Sequence, residues 1–279
     1  MKSILVPIED HGVVEPILET ALLLGRLFDS YIEGLAITPD YPVVLPVDIA
    51  IGVPSPITPE NRLEMSRACR ERFEAFMVTK QIQRAAAGHA TLSYGWRQDG
   101  LMEDAFLGAY GRVFDVTVLG RPDGSNGQTR LSTVEAALFE TGRPVLIAPP
   151  SIPRTLGETV VIAWNRSTET ARAVLGALPL LEKAGRIVVL ELEDWGVPGP
   201  SASELVRSLS RRGITRAEAM TVPDPNNRPG ETILSEAVAL GCDLLVKGAY
   251  TQSRLRQMFF GGATSHILGN TTIPVLMAH

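Results

Sequence analysis

The segment from Lys247 to His266 carries the residue types best suited to chemistry in this 279-residue chain. Gly248 follows an apolar run directly and lets the chain turn tightly. Gly261 and Gly262 remove side chains just before a helical pattern that starts near Ala263, and Thr264 and Ser265 add hydroxyl donors. A helix start offers unpaired backbone N–H groups and the positive end of a dipole, the ordinary ingredients of an anion site. Arg254 and Arg256 lie between the glycines and could add positive charge. Together these residues form a cradle for a polyphosphate. A helix dipole contributes only about 0.3–1 kcal/mol at an exposed end, so affinity would need several N–H bonds and a pocket for a base. The same glycines also suit tight packing of a loop on a sheet, and spacing alone leaves both readings open.

Other chemistries find no support. The sequence holds no G-x-S-x-G, no GxxxxGK[ST] and no G-x-G-x-x-G after its first strand. The four histidines, His11, His89, His266 and His279, are scattered, and the two cysteines, Cys69 and Cys242, are far apart, so neither a metal site nor a disulfide framework is expected. Glu9 and Asp10 form an acidic pair like that of a phosphoreceiver, without its other acceptor and lysine positions. No base–nucleophile pair can be assigned. An efficient enzyme is not expected, and weak ATPase activity is left open. Net charge is −5, without a Lys/Arg cluster, which argues against nucleic acid. No apolar run nears the roughly 20 residues of a membrane span. The opening MKSILVPIED is too short for a signal peptide, and the expectation is a cytoplasmic protein.

The elements that would position the glycine loop occur twice. Ser3–Glu9 and Thr159–Asn165 read as buried parallel strands, being continuous apolar runs with a polar end. Each leads into helical spacing (Val14, Ile17, Leu18, Ala21 in one; Ala171, Val174, Leu175, Leu178 in the other) and then into a second strand, Tyr31–Ile37 or Arg186–Leu192. Asp115–Gly120 matches Asp243–Gly248 at a spacing of 128 residues, and Arg143–Ala148 matches Ile273–Ala278 at 130. The first strands are 156 residues apart, so the first copy holds about 28 extra residues, assigned to a proline-rich insertion at 38–60, after which a helix is expected over about 62–86. The insertion reads as a surface excursion or as a lid or partner-binding loop. Third strands are expected near Thr91–Trp96 and Arg216–Val222, with helices over about 101–112 and 230–240. Alternating strands and helices make each repeat a five-stranded parallel doubly wound sheet. The domains are placed at residues 1–150 and 157–279. Ligands of such sheets bind beyond the carboxyl ends of the strands, where strand order switches.

Taken together, the repeat and its loop resemble a tandem universal stress protein of the adenine nucleotide α-hydrolase-like fold. Nucleotide-binding members carry G-x2-G-x9-G-[S/T] after strand four. Gly248 and Gly261 stand at its first and third glycines, Thr251 replaces the second, and Gly262 stands at the hydroxyl position, with Thr264 two residues on. The xSRLRxxxxGG loop resembles that of tandem members. The resemblance implies ATP or ADP, with Mg as an accompanying ion. It also implies a ribose contact at Asn165, which can donate and accept or merely cap a helix. The base pocket it implies lies at Ala163, Leu192 and Lys247. In the first copy Asp123 replaces the second glycine, while Leu131 and Ser132 fall at the Gly261 and Gly262 positions, so that copy reads as degenerate.

The last strand of each repeat, Val145–Ala148 or Val275–Ala278, would lie at a sheet edge, and an unpaired edge invites pairing. Family members dimerise through this strand. The expectation is that the two copies pair antiparallel inside one chain about a pseudo-two-fold axis; a homodimer and an unidentified protein partner stay open. The alternative function is a nucleotide-free scaffold or adaptor.

Overall fold

The computed structural model describes residues 1–9, 14–38, 59–86, 91–97, 102–122, 129–249 and 262–279. In the first half, β1 (Ser3–Ile8), β2 (Tyr31–Ala36), β3 (Gln83–Arg84), β4 (Ser93–Trp96), β5 (Val116–Gly120) and β6 (Val145–Ala148) alternate with α1 (Glu15–Phe28), α2 (Pro59–Thr79), α3 (Asp104–Tyr110) and α4 (Leu131–Glu140). The second half holds β7 (Thr159–Ala163), β8 (Arg186–Leu192), β9 (Ala217–Val222), β10 (Leu244–Gly248) and β11 (Val275–Ala278). Its helices are α5 (Thr168–Lys183), α6 (Ala202–Ser210), α7 (Pro229–Ala239) and α8 (Ala263–Asn270).

All these strands form one sheet in the order β3-β4-β2-β1-β5-β6-β11-β10-β7-β8-β9. Pairing is parallel within each half, and β6 meets β11 antiparallel, with Leu276 opposite Leu146. The order reads outward in the same sense from this junction on both sides. Strand order switches between β1 and β5 in one half and between β7 and β10 in the other. An edge that would otherwise expose a row of N–H and C=O groups is thereby closed inside the chain.

The apolar runs of the central strands are explained by cover on both faces. Alternate residues of β1, β5, β7 and β10 enter one core with α1, α2, α5 and α6, while the intervening residues enter a second core with α3, α4, α7 and α8. Equivalent aspartates stitch each half. Asp115 accepts from the Lys2 and Ser3 amides, and Asp243 from those of Glu158 and Thr159.

Three boundaries differ from the sequence reading. The helix expected over 62–86 ends at Thr79; Gln81 adopts φ 58°, which turns the chain, and residues 83–84 then extend as a sixth strand beside β4. The helix expected over 101–112 is α3 followed by a 3-10 turn at Gly111–Val113. The third strand of the first half begins at Ser93 rather than near Thr91.

Candidate functional site

The β7–β10 switch brings together most of the described residues that the sequence pointed to. Ala163, the last residue of β7, pairs with Lys247 of β10, and both are buried. Gly248 ends β10 against the first turn of α5. A Cβ there would collide with the Thr170 amide nitrogen and lie 2.6 Å from Thr170 Oγ1 and 2.8 Å from the Glu169 carbonyl carbon. Space, not a left-handed backbone angle, demands glycine at this position. Leu192 is buried at the end of β8, one strand beyond β7. Thr251, Arg254 and Gly261, and Asp123 of the first half, lie outside the described residues.

Gly262 is the N-cap of α8 in extended conformation (φ −79°, ψ 166°) and donates no side-chain cap, so no cap bond from that residue occupies the helix start. Ala263 is half-buried and Thr264 buried. Lys247 reaches this turn from below. Its Nζ donates to Thr264 Oγ1 at 2.8 Å and to the Gly248 carbonyl at 2.6 Å. Burial pushes the Lys247 amine down to about 7, because a charge taken from water favours its neutral form. The sequence pointed to Lys247 through its backbone; the structure adds a side-chain amine on the hydroxyl of Thr264, in the first turn of α8. A lysine in the last positions of a wholly apolar strand is the signal that could have found it.

Asn165 lies just past β7 and is buried. Its Oδ1 accepts from Thr170 Oγ1 at 2.5 Å and from the Ser167 amide at 3.3 Å, while Ser167 Oγ accepts from the Thr170 amide. The carbonyl side of the amide thus serves the start of α5, which is the capping alternative read from the sequence. Two further residues went unnoticed there. Arg166, at φ 68°, pairs with the buried Glu191, whose other oxygen accepts from the Ala202 amide and so holds the start of α6 beside the site.

The corresponding place in the first half is filled from within. Glu9 Oε2 accepts from the Arg130 amide at 3.0 Å, where α4 begins. Its Oε1 takes Arg130 Nε at 3.1 Å and the Thr133 hydroxyl, and Arg130 also bridges to Asp104 at 3.1 Å. A carboxylate at a helix N-terminus sits where an external anion would. The sequence reading assigned closure of this copy to Leu131 and to Asp123, the latter outside the described residues; the Leu131 side chain is half exposed, and the structure adds the Glu9 carboxylate at the helix start. Glu9 was legible as a polar strand end, whereas its partners stand 121 and 124 residues away.

Among the described residues no cluster of three or more His, Cys, Asp or Glu could hold a metal ion. No helix among them is long and apolar enough to cross a membrane.

Residues 226–279, which include β10, α8 and β11, match the model of the universal stress protein family. Two solved structures align along the chain. A universal stress protein from Archaeoglobus fulgidus DSM 4304 is 14% identical with a TM-score of 0.73, over 99% of this chain and 95% of its own. A functionally unknown protein from Pseudomonas aeruginosa PAO1 is 12% identical with a TM-score of 0.55, over 100% of this chain and 92% of its own. At these identities the likeness is one of fold. A search of curated protein sequences gave no match.

Proposed function

We propose that the protein binds one adenine nucleotide, ATP or ADP, in its second half and serves a stress-responsive or regulatory role, as the match of residues 226–279 to the universal stress protein family model and the fold shared along the whole chain suggest. The observation that carries this reading is the contrast between the two helix starts. In the first half a carboxylate of the chain itself sits on the N-terminal amide of α4. In the second half a glycine caps α8, and α8 has no acidic residue in its first turn.

The donor set suits a phosphate. Helix-start amides, the Thr264 hydroxyl and, when protonated, the Lys247 amine all favour an anion. Gly248 keeps the neighbouring strand end and α5 in close approach. Ala163, Leu192 and the Lys247 backbone offer an apolar wall and amides for a base, and the Asn165 amide, which can donate and accept, lies beside them just past β7 where a ribose hydroxyl would be met. Bound Mg would balance phosphate charge without a protein ligand set.

Isothermal titration with ATP and ADP tests this. About one nucleotide per chain is expected, with affinity lost in Gly261→Leu. Two equivalent sites per chain, or unchanged affinity in that variant, would refute the assignment. Mass spectrometry of nucleotide released from the purified protein separates this function from a nucleotide-free scaffold, and a product assay reports on hydrolysis.

A further inference from the structure

Arg166 occupies a backbone conformation that suits glycine. Its φ of 68° lies in the left-handed region, which a side chain disfavours and glycine enters freely. An arginine is held there by what its side chain does. The guanidinium donates through Nε at 2.7 Å, and through a second nitrogen, to one oxygen of Glu191. Glu191 is buried, and its other oxygen accepts from the Ala202 amide at 2.7 Å. A carboxylate on β8 therefore joins the residue that follows Asn165 to the first residue of α6.

The strap between β8 and α6, residues 193–201, lies on the same loop. The Val197 amide donates to the Asn165 carbonyl at 3.1 Å, and Trp164 Nε1 donates to the Pro200 carbonyl at 2.8 Å. Glycines allow this approach. A Cβ at Gly196 would lie 2.6 Å from the Asn165 carbonyl oxygen, and one at Gly199 would lie 2.9 Å from Arg166 Cβ. Pro198 and Pro200 restrict the backbone of the strap, and a capping box of Ser201 and Glu204 fixes where α6 starts. Asn165 is thus clasped from both sides. Its side-chain carbonyl accepts from the start of α5, and its main-chain carbonyl accepts from the strap.

The first half lacks the residues for this clasp. Ser3 pairs with Tyr31 and Thr159 with Arg186, so Glu191 stands at the position of Ala36, and Arg166 matches Asp10 in the sequence. The half that closes its helix start with Glu9 has neither member of the pair.

We propose that Arg166 is a positioning residue for sugar recognition: through Glu191 it seats the strap on the 164–166 loop and holds Asn165 where the hydroxyls of a nucleotide's ribose are met. This rests on the nucleotide reading above. An amide already fixed in place loses little freedom when it meets a ribose. The site then distinguishes ribose from a sugar without those hydroxyls, because a buried polar group left without its partner is costly.

Calorimetry on the full chain with ATP and 2′,3′-dideoxyATP tests it. The parent should prefer ATP by about tenfold, a difference of about 1.4 kcal/mol. Arg166→Gly keeps a residue suited to the left-handed backbone and removes the clasp. Affinity for ATP should fall about fivefold in it, while that for dideoxyATP stays within about twofold. Arg166→Lys keeps the charge without the two-pronged contact and should fall between parent and glycine variant. The double variant Arg166→Gly/Glu191→Gln removes the stranded carboxylate charge and carries the same expectation as Arg166→Gly. Hydrogen exchange gives a second measure without ligand: the Val197 amide should exchange about tenfold faster in Arg166→Gly. Full preference for ATP in both glycine variants, an equal loss for both nucleotides, or unchanged Val197 exchange overturns the proposal. A parent that binds both nucleotides equally overturns the sugar role. A parent that binds neither refutes the nucleotide site itself, whereas one that prefers ATP as strongly with Arg166→Gly as without it refutes only the role of Arg166.

Discussion

Replacing Gly248 with alanine adds one methyl group at the tightest contact of the second half, and the structure says what it meets. The nearest atoms belong to the backbone at Glu169 and Thr170, together with Thr170 Oγ1 at 2.6 Å. Backbone in the first turn of a helix cannot rotate out of the way, so α5 must shift against β10. Overpacking of this kind costs about 1–3 kcal/mol. The lower entropy of an unfolded chain with alanine returns about 0.4–1 kcal/mol. A net loss of about 1–2 kcal/mol follows, or roughly 2–8 °C in Tm for a chain of this size. Gly120 is the equivalent position in the first half and supplies the control. Its added Cβ would meet Thr129 Oγ1 at 2.6 Å and Ile17 Cδ1 at 2.8 Å, both side-chain atoms that can change rotamer. That adjustment costs about 0.5–1.5 kcal/mol, close to the entropic return, so Gly120→Ala should stay within about 1 kcal/mol of the parent. Gly269 has nothing within 4 Å of an added Cβ, and Gly269→Ala in α8 should stabilise by about 0.5–1 kcal/mol. Urea unfolding followed by circular dichroism ranks the three variants. A Gly248→Ala protein as stable as the parent, or less affected than Gly120→Ala, would show that backbone contact at β10 does not limit this site.

Three further outcomes follow from the same structure. The Lys247 amine, held near 7 when folded and near 10.4 when unfolded, binds fewer protons in the folded state between those values, so stability should rise with pH there. About 2 kcal/mol is expected between pH 7 and pH 9. Lys247→Met should flatten that rise in urea unfolding, with the opposing ionisation of Cys242, pushed up to about 12 by burial, cancelling between the two proteins; an identical pH slope in both would contradict a buried amine. Glu9→Gln leaves an amide where Arg130 and Thr133 bring donors and should cost about 1–3 kcal/mol, measured by thermal melting; no change would mean that the carboxylate does not hold the start of α4. Removing residues 272–279 strips β11 from β6 and should cause self-association visible by light scattering. A truncated chain that remains monomeric, with its melting unaltered, would show that the edge pairing contributes nothing.

Sequence alone determined most of the strands and helices, β3 excepted, because a sheet covered on both faces requires continuous apolar runs and a surface helix requires a stripe at three- and four-residue spacing. It also determined that the plan occurs twice, and that Gly248 stands at the end of a switch-point strand. Periodicity reports which face of an element is buried and says nothing of which distant side chain will stand opposite. The tertiary structure therefore decided that Glu9 meets Arg130 and Thr133 across more than 120 residues, that the Asn165 carbonyl is taken up by α5, and that the Lys247 amine ends at Thr264. It decided equally that the helix expected to reach residue 86 stops at Thr79, where the left-handed turn at Gln81 lets the Ile82 amide donate to the Met77 carbonyl and residues 83–84 extend beside β4. The seat of α2 on the sheet is likewise a tertiary outcome, set by the burial of Phe73 and Met77 against β2 and β4.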